Sequence, residues 1–202
     1  MSAGKLFGVL CALLIGGSAC AVDAPARPAG SASAIFAGGC FWCVEADFEK
    51  LPGVIGAESG YTAGRTLNPT YEQVSAGGTG HVEAVRVTYD PAKVSYPQLV
   101  DYFWRHIDPT VKDRQFCDSG TQYRSGIYWQ NEGEKKVAEA SRDGLLKSGK
   151  LPQIYTEIIA ASTFYPAEEY HQDYYRKNPI RYAYYRKSCG RDARVEEVWS
   201  RK

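Results

Sequence analysis

Gly38 and Gly39 separate a short apolar run, residues 34–37, from a segment in which Phe41, Val44, Phe48 and Leu51 recur at helical spacing. The run reads as a strand and the segment as a helix, so the glycines form a tight turn that a Cβ would obstruct. Cys40 is thereby set at the helix start, where unpaired backbone N–H groups and the positive dipole end favour an anion. Helix N-termini can draw a cysteine's pKa from about 8.5 to roughly 3.5–7.5. The expectation is a reactive thiolate at the lip of a strand–helix junction.

The rest of the chain must build around that junction. Residues 54–61 and 81–89 alternate as strands, with a long polar loop at 63–80 between them. Ser95 caps a helix whose apolar positions Leu99, Val100, Phe103, Trp104 and Ile107 keep a 3.6 period until Asp108-Pro109. A second polar loop spans 110–122. A strand over 123–129, an amphipathic helix over 131–147, a strand over 154–161 and a short helix or turn over 168–175 follow. The tail, 179–202, is basic and aromatic, and its stretch around Cys189 reads as mobile. The order β-α-β-β-α-β-α-β excludes a purely parallel sheet, because two strands adjoin without a helix between them. It predicts an α+β two-layer sandwich, a mixed sheet with a ferredoxin-like βαβ core.

The first residues belong to another function. Lys5 precedes an apolar run at 6–15 and the small residues of 16–21, which reads as a secretory signal peptide over 1–21. Ala19-Cys20-Ala21 suits cleavage to a soluble periplasmic protein. Ser18-Ala19-Cys20 also suits a lipoprotein signal with lipid on Cys20, anchoring the domain to the membrane facing the periplasm. The apolar run is too short to span a bilayer, which takes about 20 residues. Residues 22–33, rich in Ala, Pro and Ser, read as a linker, and 34–202 as one catalytic domain with a cysteine-bearing C-terminal tail. A net charge of +1 argues against a nucleic-acid partner held by phosphate neutralisation.

Four cysteines then remain in the domain: Cys40, Cys43, Cys117 and Cys189. A domain of this size does not need disulfide staples, so cysteines at special positions point to redox work. Cys40 and Cys43 are half of a zinc pattern, but no second Cys-x-x-Cys or His-x-x-x-His follows, so no metal is expected.

Three stretches carry polar residues that a plain core would not need: Gly39-Cys40-Phe41-Trp42; Asn68-Pro69-Thr70-Tyr71 with Gly80-His81-Val82-Glu83; and Asp118-Ser119-Gly120-Thr121-Gln122-Tyr123-Arg124-Ser125. Together, and in this order over residues 34 to about 186, they resemble the A-type peptide methionine sulfoxide reductases. The resemblance implies an α+β fold and reduction of the S epimer of methionine sulfoxide, free or in proteins, without a cofactor. It implies Cys40 as nucleophile, Phe41 and Trp42 as the cradle for the substrate methyl, and Glu83 as the acid toward the sulfoxide oxygen. Tyr71 and Tyr123 would donate hydrogen bonds to that oxygen, and Asp118 would steady the site. It also implies a monomer regenerated by thioredoxin or a similar dithiol protein.

The chemistry asks for these types. A sulfoxide sulfur becomes electrophilic once its oxygen is protonated or strongly hydrogen-bonded, so a thiolate and a proton donor must converge. A carboxyl among aromatic rings has its pKa raised and stays protonated. Cys40 would be left as sulfenic acid, which condenses with a second thiol. That resolving cysteine is open: Cys189 in the tail is favoured, then Cys43, then Cys117. Other readings are a general dithiol–disulfide oxidoreductase using Cys40 and Cys43, and a zinc or interaction module. Solvent-facing Glu83, ordinary half-buried Tyr71 and Tyr123, and a purely turn-forming Asp118 are the bland alternatives for the site residues. His81 reads as structural.

Overall fold

The structure, a computed structural model, describes Met1 and residues 28–200. The leader expected at 1–21, apart from Met1, and the linker as far as residue 27 lie outside the described residues. In chain order the elements are β1 (Ala32–Ala37), α1 (Phe41–Phe48), β2 (Val54–Thr62), α2 (Tyr71–Ser75), β3 (Val82–Tyr89), α3 (Tyr96–Trp104), β4 (Arg114–Gln115), β5 (Asp118–Ser119), β6 (Gly126–Trp129), α4 (Glu132–Lys147), β7 (Glu157–Ala160), β8 (Tyr165–Pro166), α5 (Tyr174–Lys177), α6 (Pro179–Ser188) and α7 (Arg191–Trp199).

Six strands form one sheet in the order β7-β6-β1-β3-β2-β8, while β4 and β5 pair separately as a small hairpin. All neighbours in the large sheet are antiparallel except β6 and β7. The central four strands with α1 and α3 make the expected ferredoxin-like β-α-β-β-α-β unit. β1 lies between β3 and β6 and is buried on both faces from Ala34 to Ala37, which explains its unbroken apolar run. On one face Phe36, Val85 and Val87 meet Phe41, Val44 and Phe48 of α1 and Leu99 and Phe103 of α3. On the other, Ile35, Ala37, Val82, Ala84 and Tyr128 form a smaller cluster against Ala161 and Phe164. Alternation along β3 therefore puts Glu83 on the helix-covered face with Val85 and Val87.

The departures from the sequence reading have local causes. β1 begins at Ala32, inside the stretch read as linker. The loop at 63–80 contains α2, which Thr70 and Gln73 close with a reciprocal capping box. The strand expected from residue 123 begins at Gly126 instead. Thr121–Tyr123 form a 3-10 turn, held away from the sheet by Gln122 Nε2 on the Ser75 carbonyl (3.0 Å) and Arg124 on the Gly80 carbonyl (3.1 Å). The tail is not a mobile coil but α6 and α7, docked under the glycine turn. The buried Arg191 donates to the carbonyls of Gly38 (3.0 Å) and His106 (2.9 Å), and Trp199 donates to the Ile107 carbonyl (3.1 Å). Arg186 reaches the buried Asp47 at 2.9 Å.

Candidate active site

The two glycines do more than turn the chain. Gly39 has φ +83°, and a Cβ there would stand 2.5 Å from the Cβ of Gln115. Gln115 is itself fixed, donating to the Asp108 carbonyl (2.6 Å) and accepting from the Asp108 N–H (3.0 Å). The bare turn thus lets the β4–β5 hairpin cross it closely, which carries Cys117 and Asp118 toward the start of α1. Cys40 occupies the N-cap position and is 7% exposed.

The expected thiolate at Cys40 is corrected here. The first N–H of α1, on Phe41, donates to Glu83 Oε2 at 3.0 Å, and the N–H groups of Cys43 and Val44 go to the Cys40 carbonyl. Among the described residues no backbone donor reaches the sulfur, so burial dominates and pushes the Cys40 thiol well above its ordinary value, with Cys43 and Glu83 adding to it. Cys43 is drawn the other way, to about 7, first by the hydrogen bond from Cys40 and then by Arg191 and Arg186. The two sulfurs behave as one pair sharing a proton.

Glu83 is 3% exposed, not a solvent-facing alternate. Burial pushes its carboxyl up to about 8, with the Phe41 N–H opposing and Asp118 and Cys43 adding, so it is largely protonated at neutral pH. Tyr71 and Tyr123 lie within electrostatic reach of both Glu83 and Cys40. Tyr71 is pushed up to about 12 and Tyr123 is raised as well, in each case chiefly by burial, so both remain hydroxyl donors. Tyr71 owes its place to Glu168, which accepts from its N–H (2.8 Å) and from the Tyr61 hydroxyl (2.9 Å).

Phe41 is buried against Tyr61 and His171, with ring centroids 5.9 and 5.0 Å away. Trp42 stays partly open, stacked on Tyr174 at 3.7 Å and meeting Tyr185 edge-on at 5.9 Å. Asp118 accepts from the Tyr185 hydroxyl at 2.6 Å, and burial raises its carboxyl. Tyr185 also acts on the Cys40 thiol, lowering it against the larger effect of burial. Cys189, the C-cap of α6, is bonded to Cys117, while Cys40 and Cys43 are free and buried. His81 is a loop brace, accepting from Gly64 N–H at Nδ1 and reaching the Thr66 carbonyl at Nε2.

Two residues at the site escaped the sequence reading. His171 accepts from Trp42 Nε1 at 3.0 Å, and its ring lies 4.4 Å from that of Tyr71. Tyr185 holds Asp118 and meets Trp42 edge-on. Both sit in tyrosine-rich segments whose composition names no single residue; only the α6 periodicity, which sets Tyr182 and Tyr185 on one face, carried a signal.

Residues 32–202 match the family model described as peptide methionine sulfoxide reductase. The chain is 47% identical to peptide methionine sulfoxide reductase MsrA 2 of Caulobacter vibrioides, over 96% of each chain. It is 51% identical to the MsrA of Bacillus pumilus, over 84% of this chain and 96% of that one. Among solved structures it resembles Mxr1 of Saccharomyces cerevisiae in reduced form, with TM-score 0.69 and 34% identity over 76% of this chain and 88% of that one. The structure of Mxr1 in complex with Trx2 matches with TM-score 0.50 and 26% identity over 73% and 87%.

Proposed function

The chain belongs to the peptide methionine sulfoxide reductase family, and from that we propose how its own residues reduce the S epimer of methionine sulfoxide to methionine. The substrate methyl lies against Phe41 and Trp42. Its oxygen meets Glu83, Tyr71 and Tyr123, and Cys40 Sγ attacks the sulfoxide sulfur. Glu83 delivers a proton to the oxygen while the two phenols hydrogen-bond to it, which offsets the charge that would otherwise build up there. The new sulfur–sulfur bond and the S–O bond then break as the hydroxyl passes to Cys40 Sγ, so methionine leaves as the thioether and Cys40 is left as sulfenic acid. The observation that carries this reading is the buried, protonated Glu83, bonded to the N–H of the residue next to Cys40.

Regeneration runs outward through two cysteine pairs. Cys43, three residues on from Cys40 and likewise free and buried, condenses with the sulfenic acid and releases water. Cys189 and Cys117 then exchange with that buried disulfide and end as the outer disulfide, where Cys117 is exposed to a thioredoxin-like dithiol. The leader supports export, with the domain working as a monomer in the periplasm, free or held by lipid on Cys20.

One experiment tests activity and relay together. Fully reduced enzyme is mixed with each sulfoxide epimer without reductant, and the products are followed by chromatography and peptide mapping. The expected result is methionine from the S epimer alone, with a Cys40–Cys43 bond appearing before Cys117–Cys189. In Cys189→Ser the chemistry should stop at Cys40–Cys43. A Cys40–Cys189 bond as the first product would make Cys189 the direct resolver, and equal use of both epimers would sink the assignment.

A further inference from the structure

The two sulfurs of the outer disulfide are unlike. Gln115 pairs with Asp118 across the β4–β5 hairpin, so Phe116 and Cys117 make its two-residue turn and Cys117 stands exposed at the tip. The Phe116 ring lies with its centroid 4.5 Å from the guanidinium of the buried Arg191, which pins the tip against the start of α7. Cys189 is half-buried at the end of α6, and its sulfur accepts the Cys117 N–H at 3.2 Å. We propose that the reductant attacks Cys117 Sγ and that Cys189 is the sulfur that leaves. The inference rests on regeneration by a dithiol protein, as proposed above, and names the atom on which that protein acts.

Thiol–disulfide exchange turns these differences into a direction. The attacking and departing sulfurs carry the charge, and the better-stabilised thiolate departs faster. A departing Cys189 sulfur has the Cys117 N–H already aimed at it, and that hydrogen bond strengthens as the sulfur becomes an anion. A departing Cys117 sulfur would instead gather charge 3.7 Å from Asp118 Oδ1. Arg114 donates to the Phe116 carbonyl at 2.8 Å, which sets a positive charge at the tip where an incoming thiolate arrives. The step balances without a further reagent. The Cys117–Cys189 bond breaks, a bond from the reductant's first sulfur to Cys117 forms, and Cys189 takes up the proton that the attacking thiol gave to solvent. The reductant's second thiol then attacks its first sulfur and frees Cys117 as a thiol. The reductant leaves as a disulfide, having supplied two electrons.

The test uses the wild-type enzyme with its Cys117–Cys189 bond intact and needs no sulfoxide. Excess glutathione is allowed to open the bond briefly at neutral pH, and the reaction is stopped in acid. N-ethylmaleimide then blocks the released thiol, and tandem mass spectrometry reads which cysteine carries glutathione. A hydrogen bond to a charged group is worth roughly a 10- to 100-fold preference, so glutathione on Cys117 with maleimide on Cys189 should exceed the reverse about tenfold or more. An excess below about threefold, or more glutathione on Cys189 than on Cys117, overturns the proposal. In a second arm, a thioredoxin whose second active-site cysteine is replaced by serine is offered to the same enzyme. It should be trapped on Cys117, and trapping on Cys189 overturns the proposal. Glutathione entering at Cys117 with no thioredoxin trapped would defeat the reading of the reductant and leave Cys117 as the sulfur attacked.

Discussion

Cys40→Ser should yield no methionine from a methionine-S-sulfoxide peptide, a loss of about 10⁴-fold or more in the single-turnover rate, with folding intact. A serine hydroxyl fits the buried N-cap site but is a far weaker nucleophile than a thiol, and it cannot pass through a sulfenic acid. The variant also separates the roles of the two inner sulfurs. Cys43 carries the more acidic thiol of the pair, so acidity alone would nominate it. It is 2% exposed, however, and packs with Ala46, Tyr174 and Tyr182, whereas Cys40 directly precedes Phe41, whose N–H holds Glu83. A residual rate above about one percent of wild type would transfer the attack to Cys43. A general dithiol oxidoreductase makes a different forecast, since it would still need Cys40 but would be indifferent to Glu83.

The parts of this architecture visible in the sequence are those fixed by short-range rules. β1, β3, α3 and α4 were legible because apolar period and caps agree over each element: Ser95 with Gln98 in α3, and Asn131 accepting from Glu134 N–H in α4. The placement of Cys40, Glu83, Tyr71, Tyr123 and Asp118 around one spot came from motif resemblance, because no local pattern states that β3 and the 110–122 loop meet at a glycine turn. What stayed hidden depends on distant partners. Tyr123 looked like the head of a strand until Gln122 and Arg124 found carbonyls at Ser75 and Gly80. The state of Cys40 departs from the sequence expectation for the same kind of reason. A helix N-terminus does supply donors, but Glu83, forty-two residues away, takes the first of them. Tyr185 and His171 act through contacts with residues on α1 and β5 that spacing along their own segments cannot reveal.

Glu83→Gln should slow sulfoxide reduction by roughly 10²–10⁴-fold, the range for loss of a positioned general acid, while making the protein more stable. An amide can hydrogen-bond to the sulfoxide oxygen but cannot hand it a proton, so a residual rate should survive where Cys40→Ser leaves none. The stability gain follows from burial. The carboxyl titrates near its ordinary 4.5 in the unfolded chain and at about 8 in the folded one. Below pH 4.5 both states hold the proton and the substitution removes no titration penalty. Between pH 4.5 and 8 the unfolded state loses the proton first, so the wild type loses stability as pH rises; above 8 the deficit is constant. Gln carries no charge to desolvate and keeps a carbonyl for the Phe41 N–H. The gain should therefore be near zero at pH 4 and at most roughly 4 kcal/mol at pH 8, a rise in Tm on the order of 10 °C for a domain of this size. Thermal unfolding of both proteins at the two pH values, beside their single-turnover rates, measures both effects. A Tm difference that does not depend on pH would mean that Glu83 is ionised in the folded enzyme, and a proton donor for the sulfoxide would then have to be sought among Tyr71, Tyr123 and Asp118.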